Sequence, residues 1–132
     1  MSKQKIKLFT DNFSELPEKI RVHLKGVISE NFIYALKTTY KPNETIPILW
    51  LVIYQGGIVF CNTHKTRGVY KLFSYKDIDS IKIYPKTEFV DFKVEILMSG
   101  LNEDNFQFSI PSDIDIEKLK HILKKMNYQV LQ

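Results

Sequence analysis

Cysteine occurs once, as Cys61, so no internal disulfide can form and a disulfide-stapled fold is excluded. A single thiol fits a reducing compartment. Arginine is nearly as scarce: the chain holds only Arg21 and Arg67, and its other basic residues are lysines. Readers of nucleic acid and clamps for phosphate favour arginine for its bidentate fork. No basic stripe interleaved with aromatics is present either, so nucleic-acid binding is not expected. Long apolar runs are missing. The longest, Ile48 to Tyr54, falls well short of the about 20 residues that a membrane span needs. The start, Met1 to Leu8, is polar and lysine-rich with no apolar stretch behind it, so no secretory leader is expected. These absences together describe a soluble, cytoplasmic chain, peripheral to a membrane at most.

What is present suits one β-rich domain. The chain has 132 residues, 44% hydrophobic and 26% charged, with a net charge of +4. That length supports a core without staples. Aromatic content is 13%, carried mostly by Phe and Tyr, which favour strands. No internal repeat or low-complexity segment interrupts the chain. Residues 1–12 read as a flexible basic lead-in and 13–132 as the domain.

The apolar period divides that domain into three parts. Phe13, Leu16, Ile20, Leu24, Val27 and Ile28 recur at helical steps, which predicts a helix from Ser14 to about Ile28 with Ser14 as N-cap. From Asn31 to Ile110 the period is two, and seven strand-like runs follow one another. The first runs from Asn31 to about Tyr40, and Lys41-Pro42-Asn43-Glu44 is a turn. Ile48 to Tyr54 is a buried strand, and Gln55-Gly56-Gly57 a tight hairpin into a strand from Ile58 to Thr63. After the polar loop His64 to Gly68 come Val69–Ser74 and Ile78–Tyr84. The sixth strand alternates most clearly, with Val90, Phe92, Val94, Ile96 and Met98 on one side. After a turn at Ser99–Asp104, Phe106, Phe108 and Ile110 give the seventh an inward face. Pro111 ends the sheet, and Ser112 or Asp113 caps a helix to about Met126 with Ile116, Leu119, Ile122, Leu123 and Met126 as its stripe. The tail from Tyr128 either packs or frays.

This order predicts an α+β, mainly β fold: a strongly bent antiparallel sheet of seven strands, or partly open barrel, with a helix at each terminus. The C-terminal helix should cap one open end. Such an order resembles the pleckstrin-homology-like (PH-like) domains, and among them the bacterial PH-like and GRAM-type domains. Trp50-Leu51-Val52-Ile53-Tyr54 and Gly57-Ile58-Val59-Phe60 carry the likeness, and Phe73-Ser74-Tyr75-Lys76-Asp77-Ile78-Asp79-Ser80-Ile81 is similar to the family's I-P-Y-x-D-I-x-S-I segment. The chain departs from the family at Tyr54-Gln55-Gly56-Gly57, where many members carry a basic turn. The resemblance implies a binding module that can form homo-oligomers. It implies no phosphoinositide recognition, because the first hairpin offers Lys37 and Lys41 but no arginine, and holds Glu44.

No residue cluster has the spacing of a catalytic, metal or cofactor site. His23, His64 and His121 lie in separate segments with no Cys, His or carboxylate at ligand spacing. Cys61 reads as a buried strand residue, and Asp77 and Asp79 as turn residues facing water. Gly56-Gly57 lacks the following helix that would receive a phosphate. Basic residues gather at His64, Lys65 and Arg67 and at Lys3, Lys5 and Lys7. The expectation is a non-catalytic interaction module that engages a protein partner or a second copy of itself through its loops or a sheet edge. The alternative is peripheral binding to anionic membrane lipid through His64, Lys65 and Arg67.

Overall fold

Two layers of apolar side chains, one on each face of the same sheet, organise the molecule. A computed structural model describes residues 9–24, 31–38, 49–62, 69–100, 105–110 and 113–132, with the backbone alone at 23, 49, 62, 69, 70 and 114. The strands are β1 (Phe9–Thr10), β2 (Phe32–Lys37), β3 (Leu49–Tyr54), β4 (Gly57–Asn62), β5 (Val69–Ser74), β6 (Ile78–Tyr84), β7 (Phe92–Met98), β8 (Phe106–Ile110) and β9 (Val130–Leu131). The helices are α1 (Glu18–Leu24) and α2 (Asp113–Lys125). The fold is therefore α+β and mainly β.

The strands divide into two sheets rather than one. A five-stranded sheet has the order β1-β2-β3-β4-β5, and a four-stranded sheet the order β8-β7-β6-β9. Neighbours are antiparallel except β6 and β9, which run parallel. The division falls at Tyr75–Asp77, a single 3₁₀ turn that carries the chain from β5 out of the first sheet and into β6. Two short strands were illegible as periodicity. Phe9–Thr10 lies within the expected lead-in yet pairs with Leu36 and Ala35. Val130–Leu131 pairs with Ile81 and Lys82, so the tail packs. Two residues cannot display an alternation; only their pairing defines them.

The main core lies between the two sheets and under α2. It gathers Leu36, Leu51, Ile53, Ile58, Phe60 and Phe73 from the first sheet and Ile81, Val94, Ile96, Phe108 and Ile110 from the second. Helix α2 contributes Ile116, Leu119, Ile122 and Leu123, the stripe its spacing predicts. Its end is a Schellman turn: Asn127 adopts φ 68°, the Asn127 N–H donates to the Lys124 carbonyl, and the Tyr128 N–H donates to the Leu123 carbonyl.

The second core covers the opposite face of the five-stranded sheet. Ala35, Trp50, Val52, Val59 and Cys61 meet Leu16, Ile20 and Leu24 there. Both faces of β3 and β4 are thus buried, which is why Trp50-Leu51-Val52-Ile53 reads as an unbroken apolar run. The N-terminal helix covers this face, not an edge of the sheet.

That helix starts later than its apolar spacing suggests. Leu16 precedes Pro17, and a residue before proline is pushed out of the helical region; Leu16 is extended, with φ −68° and ψ 151°. A 3₁₀ turn at Phe13–Glu15 comes first, capped by Asn12, whose Oδ1 accepts from the Ser14 N–H at 3.1 Å. Ser14 is therefore inside that turn and not the N-cap of α1. The Pro17 carbonyl opens the helix instead, accepting from Ile20 and Arg21. The expected continuation to Ile28 lies outside the described residues, as do the turn at residues 41–44 and the proposed capping residue Ser112.

Val90 also departs from expectation. It has the parity of Phe92, Val94 and Ile96, but β7 begins at Phe92 and Val90 is 56% exposed. Thr87 holds it in a turn: the Thr87 N–H donates to the Val90 carbonyl, and the Val90 N–H donates to Thr87 Oγ1.

Candidate functional site

The residues nominated from the sequence as an anionic contact, His64, Lys65 and Arg67, lie outside the described residues. The strands on either side are described. β4 ends at Asn62 and β5 begins at Val69, so that segment joins neighbouring antiparallel strands. Lys71, near the start of β5, is exposed and sets its Nζ 5.3 Å from the Phe73 ring centre and 5.6 Å from that of Phe106. An ammonium over two aromatic faces is held by their quadrupoles while staying in water.

The outer edge of β5 has a definite polarity. The Tyr75 N–H donates to the Gly56 carbonyl at 2.8 Å, and the register pairs Gly57 with Ser74, Ile58 with Phe73 and Val59 with Leu72. Antiparallel pairs alternate between bonded and non-bonded positions. Ile58 and Phe73 therefore bond each other, whereas Leu72 and Ser74 turn their N–H and C=O groups away from β4. No described strand lies on that side. Leu72 is 50% exposed, on the apolar face that carries Val59, where α1 no longer covers the sheet. Of the other described edge strands, β1 and β9 are two residues long, too short to template another strand, and β8 is a five-residue edge of the smaller sheet. β5 is the long edge of the larger sheet.

The remaining sequence candidates stay apart. Cys61 is fully buried in the layer beneath α1, and burial pushes its thiol up to about 12. A thiol so held is protonated at neutral pH and a poor nucleophile. His121 is exposed on α2, and the side chain of His23 lies outside the described residues. Asp77 contributes its backbone: its carbonyl accepts from the Ser99 N–H and Oγ, both at 3.0 Å. Asp79 is exposed and accepts from Ser80 Oγ at 3.1 Å. Among the described residues no group of three His, Cys, Asp or Glu side chains is placed to hold a metal ion. None of their helices is long and apolar enough to cross a membrane.

Two polar features were missed by sequence reasoning. On the outer face of the second sheet, Glu95 accepts from Gln107 Nε2 and the Tyr84 hydroxyl, each at 2.9 Å. The Gln107 bond leads in holding the Glu95 carboxyl below its usual range, with the Tyr84 bond and the charges of Lys93 and Lys82 adding to it against partial burial. Cross-strand pairing could have found this set once the register was known, because Lys82 faces Glu95 and Glu95 faces Gln107. The second feature is a pair of buried phenols. The Tyr34 and Tyr128 hydroxyls have no hydrogen-bond partner among the described residues, and burial raises the pKa of both.

No family model matches this chain, and no curated protein matches it.

Proposed function

We propose that the chain is a PH-like, non-catalytic module that binds an extended segment of a partner protein by strand addition at β5. Support for the PH-like reading is topological. Strands β2 to β5 form one meander, β6 to β8 another, and α2 follows at once over the core they share. A bent sheet closing toward a barrel with a capping helix is the architecture this order resembles.

The observation that carries the binding reading is the outward polarity of Leu72 and Ser74 on the β5 edge, beside which no described strand lies. Main-chain groups there supply affinity to any extended chain, and the Leu72 side chain supplies an apolar contact to the residue placed against it. Ser74 already has φ −72°, close to the angle proline requires, so Ser74→Pro removes an outward donor without straining the strand.

The test is retention of proteins from extracts of the source cells by wild-type and Ser74→Pro protein at low and high salt. Strand addition predicts partners that survive high salt and are lost from Ser74→Pro. Peripheral membrane binding through His64, Lys65 and Arg67 predicts instead binding to acidic vesicles that salt weakens steeply and that Lys65→Glu with Arg67→Glu abolishes. That second result would replace the protein-partner reading.

A further inference from the structure

One positioned cation specifies the chemistry of a segment added at β5. Lys71 is exposed, and the rings of Phe73 and Phe106 hold its Nζ at 5.3 Å and 5.6 Å from their centres. That hold fixes the ammonium beside the strand and leaves its N–H donors to water. Among the described residues Lys71 makes no ion pair. The stretch from Thr45 to Lys76 contains Lys65, Arg67, Lys71 and Lys76 and no Asp or Glu. Asp77, the next acid, is separated from Lys71 by most of a strand and a 3₁₀ turn, roughly 15 Å of chain and more than a Debye length. Glu103 and Asp104, the acids closest in sequence to Phe106, lie outside the described residues.

The ladder dictates what an added strand brings to this ammonium. Leu72 and Ser74 turn their main-chain groups outward, so they take the bonded positions against an added antiparallel strand, and Lys71 and Phe73 the non-bonded ones. Side chains approach most closely across non-bonded pairs. An opposite charge placed there stabilises the pairing, and a like charge destabilises it. An antiparallel strand, followed from its own N-terminus, meets Leu72 first and Lys71 next. Its two successive side chains point to opposite faces, one onto Leu72 and one toward Lys71. The usable edge is short, because an irregularity between Phe60 and Cys61 interrupts the pairing beyond Lys71 and the turn at Tyr75–Asp77 closes the other end. Main-chain bonds there are few, so side chains decide which segment is held.

We infer that the segment added at β5 carries an apolar residue followed directly by Asp or Glu, the apolar side chain lying on Leu72 and the carboxylate reaching Lys71. The inference rests on strand addition at β5 and names the partner chemistry of that edge. It takes the added strand as antiparallel, as every described neighbour in that sheet is. The ion pair is at the surface, so it selects among segments while main-chain and apolar contacts supply most of the affinity.

The probe is a phage-displayed library of random dodecapeptides, selected on the full chain; enriched peptides are then synthesised with a fluorescent label and titrated by anisotropy. The expected peptides share an apolar-acidic pair and lose binding to Ser74→Pro. They bind Lys71→Gln about threefold and Lys71→Glu about tenfold more weakly, with the difference shrinking at high salt. Selection on Lys71→Glu should return Lys or Arg after the apolar residue. Thermal unfolding checks that each variant is folded. Peptides lost from Ser74→Pro but held equally by wild type, Lys71→Gln and Lys71→Glu overturn the acidic partner and leave strand addition standing. Peptides held equally by wild type and Ser74→Pro, or a library from which nothing is enriched, overturn strand addition and this inference with it.

Discussion

Replacing Ile20 by alanine tests whether α1 is part of the fold or an accessory to it. Ile20 is fully buried between α1 and the face carrying Trp50, Val52, Val59 and Cys61. The change deletes three carbons, worth about 2–2.5 kcal/mol at roughly 0.8 kcal/mol per buried methylene. The cavity left behind brings the expected cost to about 2–5 kcal/mol. Urea unfolding measures that cost, with Val22→Ala as control: Val22 is 66% exposed on the same helix and should change stability by less than about 0.5 kcal/mol. Cys61 provides a second readout, because the same layer buries its thiol completely. If α1 lifts as a local unit, a loss of about 2 kcal/mol raises the open population, and with it the rate of thiol labelling, about 30-fold. Stability within about 0.5 kcal/mol of wild type would refute the reasoning. So would destabilisation that left Cys61 labelling only through global unfolding.

Three further perturbations probe separate claims. A Cβ at Gly57, where φ is +152°, would collide with the Phe73 carbonyl oxygen, so Gly57→Ala should cost more than about 1 kcal/mol in thermal or urea unfolding; a neutral result would deny the β4–β5 register. Tyr34→Phe removes a buried hydroxyl that has no partner among the described residues and should leave stability unchanged or raise it by about 1 kcal/mol, whereas a marked loss would reveal a bond to that hydroxyl. Glu95 has a folded pKa below its unfolded value, so its contribution is present above the unfolded value and disappears as pH falls through the folded one. Glu95→Gln should therefore be less stable than wild type at about pH 7 and match it near about pH 3, as paired unfolding curves would show.

Much of the strand order was legible because burial writes a period into sequence. Val94 and Ile96 alternate with half-exposed residues since one face of β7 meets the core. Trp50 to Ile53 form a run since both faces of β3 are covered, yet that run could not say what covers the second face. The cover is a helix whose start is set by Pro17, a one-residue veto that outweighs an apolar spacing beginning at Phe13. Val90 misled for the converse reason: its parity fits the strand, and only the bonds to Thr87 take it out. The β5 edge was illegible because which strand lies outermost is a property of pairing, and nothing local in Leu72 or Ser74 records it.

The most direct test of strand addition compares wild type with Ser74→Pro. Both proteins are immobilised, exposed to extract of the source cells at high salt, and the retained proteins quantified by mass spectrometry, with circular dichroism and urea unfolding confirming that the variant is folded. The predicted result is a partner held by wild type and reduced about tenfold or more by Ser74→Pro, with Lys65→Glu and Arg67→Glu leaving it in place. Identical retention by wild type and Ser74→Pro would contradict the claim that the outward edge of β5 is where this protein binds.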